Sequence, residues 1–294
     1  MAALSTIVGI VLVVVALNDV FQTLLRPTAT GRLSTVVFRT VWRLSRRGRR
    51  LATASGPLTI LATVLVWLTL IAGGWALVYL PHILDGFAYS GVDPSAYHPF
   101  AEAMTFSLVA LTTLGLGDVV PVDPVIRAIA PLEALTGFAM LSASVSWFMQ
   151  LYPALSRRRA VAIELTSLHE AGMTRDLAEL SPERAAAIVR SVSRSLAELT
   201  ADLVQNAEIF YFAEGDERLS APGALRYALE LRDAALATAS ADVRAEGRAL
   251  ASVIDELARV LRHQYPHLAG DSAADVLESA ASGHGHGHRG RTAP

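Results

Sequence analysis

The hydrophobic positions of this chain gather into three long runs before residue 155 and spread into a helical rhythm after it. The runs cover Ala2 to Leu25, Pro57 to Tyr79 and Val125 to Tyr152. Each suffices to cross a hydrocarbon core, which takes about 20 apolar residues at a helical rise of ~1.5 Å. A fourth stretch, Phe100 to Leu111, is apolar but too short to span. Beyond it, from Ala160 to Ala281, the pattern turns amphipathic. After Ser181-Pro182, the residues Val189, Val192, Leu196, Leu199 and Leu203 alternate spacings of three and four, and Leu250, Val253, Leu257 and Val260 do the same. Neither stripe is long enough for a coiled coil, so a small helical bundle is expected. The pattern predicts an all-α membrane protein: three transmembrane helices, a short helix between the second and third, and an α-helical appendage.

Arginine placement orients the spans. Arg26, Arg32, Arg39, Arg43, Arg46, Arg47, Arg49 and Arg50 follow the first run, and Arg157, Arg158 and Arg159 follow the third. From Leu51 to Ile126 there is no arginine or lysine, but there are Asp85, Asp93, Glu102, Asp118 and Asp123. The basic loop and the C-terminal half are therefore expected in the cytoplasm, with the N-terminus and the 80–124 region outside, across a cell membrane. A secretory signal is a poor reading of the first run, which lacks a basic n-region and a small-residue cleavage site. Val36 to Arg50 sets Val37, Phe38, Val41, Trp42 and Leu44 among arginines, which suits an amphipathic helix at the inner surface, facing anionic lipid. Arg39, Arg43, Arg46 and Arg49 also have the spacing of a voltage sensor, but a single preceding span offers too little shelter for such charges. Asn18 and Asp19 interrupt the first run, and Asp19 reads as an interfacial carboxylate near the arginine loop.

Composition narrows the function classes. The 294 residues are 52% hydrophobic and 18% charged, with a mean hydropathy of +0.41. Soluble proteins carry about 45–50% and about 25%. Cysteine is absent, which excludes a disulfide framework, thiolate metal sites and a cysteine nucleophile. Lysine is absent too, which excludes Schiff-base and P-loop chemistry. A net charge of −2 gives no footprint for nucleic acid. No metal-ligand spacing, nucleophile elbow or phosphate loop supports an enzyme.

Between the second and third runs the chain reads Thr112-Thr113-Leu114-Gly115-Leu116-Gly117-Asp118. This closely resembles the filter signature of potassium channels, T-T-V-G-Y-G-D. Residues 57–155 thus resemble the two-transmembrane, pore-loop family of prokaryotic potassium channels, here with an extra N-terminal transmembrane helix. The chemistry explains the residue types. A dehydrated cation needs successive backbone carbonyls aimed at one axis, and Gly115 and Gly117 permit the alternating backbone this requires. The resemblance implies K+ coordination at Thr113, Leu114, Gly115 and Leu116, with Asp118 adding negative charge at the mouth. It makes Phe100 to Leu111 a reentrant pore helix, opened by Pro99 and Glu102, whose C-terminal dipole end favours a cation. Asp123-Pro124 is a suitable start for the inner span. The family carries a gating-hinge glycine nineteen residues after the filter Asp, and here that position is Gly137. Phe138, Leu141, Val145 and Met149 match the family's cavity-lining face, although they suit helix packing equally. Ser142, Ser144 and Ser146 fit close helix approach as well as a wet cavity. One filter loop per chain implies a homotetramer.

Two positions depart from the family pattern. Leu116 replaces the usual aromatic, as in one filter of some two-pore-domain channels, so phenolic bracing is lost. Pro131 lies inside the inner span and removes a backbone hydrogen bond. The reading is a potassium-selective channel without a cofactor other than K+ ions in the filter. The alternatives are a cation channel with poor K+/Na+ discrimination, or a non-conducting membrane signalling scaffold. The organisation expected is 1–56 for the first span and basic helix, 57–155 for the pore, 156–282 for the cytoplasmic helices and 283–294 for a flexible His/Gly tail. Phe210-Tyr211-Phe212 reads as a packing plug. The alternating histidines 284, 286 and 288 have the composition of a metal-binding tract. No G-x-G-x-x-G or strand–helix alternation indicates a nucleotide-binding regulatory domain, and a cytoplasmic regulator stays unidentified.

Overall fold

The computed structural model describes residues 2–24, 26, 31–45, 54–91, 93–268 and 270–284. Arg46, Arg47, Arg49, Arg50, His286 and His288 lie outside the described residues. The protein is an all-α membrane protein. Three helices are long and apolar enough to cross a membrane: Ala2–Leu24, Ser55–His82 and Pro124–Glu170. They correspond to α1 (Ala2–Leu24), α3 (Ser55–Tyr79, prolonged by a 3-10 turn) and α5 (Pro124–Glu170). Between α3 and α5 stands the short apolar helix α4 (Pro99–Leu111), and after α1 the basic helix α2 (Arg32–Ser45). Helix α5 does not stop at Tyr152 but runs on to Glu170 without a break, through Pro131 and Pro153.

The chain divides into two compact units, Met1–Val41 with Leu58–Met149 and Trp42–Pro57 with Gln150–Pro294. In the first, α1 lies against α3 at Gly9 and Gly74: a Cβ at Gly9 would strike the Gly74 carbonyl, and one at Gly74 would stand 2.8 Å from the Gly9 carbonyl. Small residues let two spans approach in this way. Asp19 is buried and structural. Its carboxylate accepts hydrogen bonds from Leu33 N (2.8 Å), Ser34 N (3.1 Å), Ser34 Oγ (2.6 Å) and Trp67 Nε1 (2.9 Å). It thereby caps the N-terminus of α2, whose first amides have no partner inside the helix. The carboxylate does lie against the start of the basic segment, and it is buried there. On α2, Ser34, Phe38, Trp42 and Ser45 turn inward while Arg39 and Arg43 stay exposed.

A small two-stranded ladder, β1 (Phe87–Tyr89) with β2 (Val119–Pro121), runs antiparallel with Ala88 opposite Val120. Behind it Tyr79, Phe87 and Phe106 meet edge to face, with ring centroids 4.7 to 6.1 Å apart. Ile83, Ala103 and Ile126 complete this core.

The second unit holds α6 (Pro182–Gln205), α7 (Ala221–Ala237), α8 (Ala241–Gln264) and α9 (Ala273–Gly283). Ser181, Ser240 and Ser272 cap α6, α8 and α9, the last through a capping box with Asp275. The α6 stripe from Val189 to Leu203 is buried throughout. On α8 the stripe is Val243, Gly247, Leu250, Ile254, Leu257 and Leu261, so Ile254 takes the inward place expected of Val253. The aromatic triplet does pack. Phe210 stacks on Tyr265 at 4.0 Å, and both Phe210 and Tyr211 face Trp42. Arg158, buried, donates to the carbonyls of Ile209 and Phe212. Gly283 closes α9, and His284 is held in the unit, its ring nitrogens 2.8 and 2.7 Å from the carbonyls of Ala280 and Phe210.

Candidate ion-binding site

The 112–118 loop grows out of the end of α4. His98 caps the start of that helix, its ring nitrogen accepting from Phe100 N at 3.3 Å, and Pro99 holds the first position. At the other end Thr112 N, Thr113 N and Leu114 N donate to the carbonyls of Leu108, Ala110 and Val109 at 2.9 to 3.0 Å. The chain thus leaves the helix by a tightened turn, with the negative end of the α4 dipole facing the loop. Thr112 caps the helix and returns its hydroxyl to Leu108 O (2.7 Å).

From there the backbone alternates. Thr113, Gly115 and Gly117 have φ of +57°, +58° and +81°, while Leu114 and Leu116 between them stay negative. An alternating backbone of this kind is what the carbonyl-cage reading requires. A Cβ on Gly115 or Gly117 would meet nothing within 4 Å, so these glycines answer a conformational need and not a lack of space. Thr113 was not expected in this role. It is the sole non-glycine with positive φ among the described residues. A β-branched side chain there is strained, and such strain gathers at functional sites.

The exit from the loop is anchored. Asp118 accepts from Val119 N through Oδ1 (3.0 Å) and from Ser90 N through its own carbonyl (2.8 Å). The β1–β2 ladder follows at once, and Val122 N and Asp123 N bond to Gly86 O. Tyr89 donates its hydroxyl to Ile83 O. Burial, with the Glu102 charge nearby, raises that hydroxyl above the usual phenol range. Asp123 Oδ1 then receives Val125 N and Ile126 N and starts α5.

Helix α5 returns beside α4 by two rungs. Ser107 Oγ lies 2.5 Å from Glu133 Oε1. One turn further on both helices, a Cβ at Gly137 would overlap the carbonyl oxygen of Leu111. Gly137 therefore sits at a backbone-to-backbone contact, a reason for glycine besides the expected hinge. Phe138, Leu141, Val145 and Met149 all point away from the chain's own packing and are exposed, as are Leu114 and Leu116. Leu116, at 60% exposed, braces nothing within its own chain. Sequence reasoning passed over Ser107, Glu133 and the ring cluster Tyr79–Phe87–Phe106. One signal was available: Glu133 is the single acid in the third hydrophobic run. No cluster of metal-binding side chains occurs among the described residues.

With the loop, its helix and the two flanking spans described, a comparison with known families supports the coarse function. Residues 61–152 match the family described as ion channel. The matched segment contains α4, the whole 112–118 loop and α5 as far as Tyr152. The chain is also 24% identical, over 173 residues, to the uncharacterized membrane protein YdjJ of Bacillus subtilis (strain 168). That match covers 56% of this chain and 49% of the relative, so the chain spans about half the length of the curated relative it matches. No solved structure matches.

Proposed function

We propose that the protein is a potassium-selective channel in which K+ moves passively through a four-fold cage of backbone carbonyls. The observation that carries this reading is the alternation of hand at Thr113, Gly115 and Gly117, in a loop fed by the C-terminal end of an apolar helix. Backbone carbonyls aimed at one axis replace the hydration shell of a cation. In this reading K+ is held at Thr113, Leu114, Gly115 and Leu116, and Asp118 draws cations to the mouth. Four copies are needed to close the cage. The exposed faces of Leu114, Leu116, Phe138, Leu141, Val145 and Met149 support assembly, since apolar surface so placed seeks either lipid, partner subunits or a cavity. Gly137 serves as a gating hinge as well as a contact. The 80–124 region faces outside the cell membrane and the C-terminal helices face the cytoplasm, with Arg39 and Arg43 of α2 toward anionic lipid.

A second reading has one observation in its favour. Leu116 supplies no hydrogen bond to steady its carbonyl, so a looser cage that admits Na+ is the alternative. Purified protein in liposomes, with K+ and Na+ on opposite sides, separates the two. A reversal potential close to that of K+ supports the first, and one near zero supports the second. No flux under any condition removes both and leaves a scaffold.

A further inference from the structure

We propose that Glu133 is a positioning residue for conduction, tying the filter-bearing helix α4 to the spans α3 and α5 and so holding the filter at its selective width. The inference rests on the reading of residues 112–118 as a filter.

Glu133 is 0% exposed, although α5 is the least buried of the three spans. A carboxyl placed among apolar helices costs several kcal/mol unless its oxygens are satisfied. Among the described residues no ion pair includes Glu133, and the Ser107 hydroxyl on α4 lies 2.5 Å from its Oε1. That hydroxyl also lies 3.0 Å from the carbonyl of Ala72 on α3. Three helices therefore meet at a single fully buried oxygen.

The position of this junction gives it a function. Ser107 precedes Leu111 by one turn of α4, and Glu133 precedes Gly137 by one turn of α5, so the two rungs stand on matching faces. The second rung is the Gly137–Leu111 contact, at the last helical residue before the loop. A shift of α4 relative to α5 passes directly to Thr112 and Thr113, whose amides bond to the final turn of α4. The other side of the carboxyl faces α3, where the buried Tyr79 hydroxyl interacts with it. A leucine at 133 would fill the space and lose the tie. A glutamine would keep the volume and its contact with Ser107.

The test compares wild type, Glu133→Gln, Glu133→Leu and Ser107→Ala as purified proteins in liposomes under K+/Na+ gradients, with thermal unfolding and subunit assembly measured on the same samples. Glu133→Leu and Ser107→Ala are expected to lower the K+/Na+ permeability ratio by about tenfold, the size of one lost buried coupling. Assembly stays near wild type, Ser107→Ala lowers the unfolding temperature because it takes a hydroxyl from a buried carboxyl, and the selectivity of Glu133→Gln stays within about twofold of wild type. Selectivity unchanged in Glu133→Leu overturns the proposal, as does a loss of current that merely follows a loss of folded tetramer. Absence of K+ current in wild type overturns the filter reading and this inference with it, an outcome distinct from the other two.

Discussion

Gly137 and the carbonyl of Leu111 approach so closely that no side chain fits between them. The contact joins the first third of α5 to the last residue of α4, directly before the loop that carries the alternating backbone. Any added atom must push the two helices apart. Gly137→Ala is therefore expected to destabilise the fold by about 1–3 kcal/mol through overpacking, and to reduce current more than its effect on assembly explains. Flux per assembled channel, measured beside thermal unfolding, checks this. A pure hinge without the contact would tolerate alanine in stability and change only opening.

Gly115→Ala acts differently. Within one chain a Cβ at Gly115 meets nothing, so the cost there is the left-handed backbone, about 1–2 kcal/mol. The protein is expected to fold and assemble. In the cage reading the carbonyl at 115 turns away and K+ current is lost. Current that persists unchanged removes the filter assignment.

Asp19 is the test of the first unit. Removing its carboxylate leaves Leu33 N, Ser34 N and Trp67 Nε1 without their acceptor in a buried place. Asp19→Ala is expected to cost about 1–3 kcal/mol for a buried donor left unpaired. Asp19→Asn, which keeps one acceptor oxygen, costs less. Unfolding temperature in detergent, together with a change in Trp67 fluorescence, reads both.

Arg158 plays the corresponding part in the second unit. Its guanidinium holds the carbonyls of Ile209 and Phe212 and reaches Glu214 at 3.4 Å. Arg158→Leu frees these groups, with an expected loss of about 2–3 kcal/mol. Faster proteolytic cleavage between residues 206 and 214 is the direct measure, and unaltered cleavage contradicts the assignment.

Tyr265 closes the same region. It donates to Ala207 O at 2.5 Å while stacking on Phe210. Burial holds its hydroxyl well above the usual phenol range, so it keeps its proton through alkaline pH. Tyr265→Phe keeps the stack and loses one bond, about 1 kcal/mol, and thermal unfolding is expected to show that small loss at every pH below 10.

Much of this architecture was legible in the order of residues. The three spans are long apolar runs, and such runs have few alternatives in a bilayer. The starts of α5 and α6 rest on Asp123-Pro124 and Ser181-Pro182, where a cap and its amides are two or three residues apart. The loop was readable from its glycines, which mark where left-handed backbone is cheap. Thr113 was hidden by the same rule, because a β-branched residue argues against that conformation until packing imposes it. The β1–β2 ladder was hidden too, since three residues make no pattern.

By itself the sequence determined everything that depends on neighbours along the chain: span length, charge asymmetry, helix caps, the glycine pattern of the loop and the stripe of α6. Only the tertiary structure decided which distant groups share a buried space. It put Asp19 under the amides of α2, Glu133 on Ser107, Gly137 on Leu111 and Ile254 in the place expected of Val253. The physical reason is that periodicity assigns a residue to a face, to within a fraction of a turn. The few ångströms that make a hydrogen bond or forbid a Cβ come from how two helices cross.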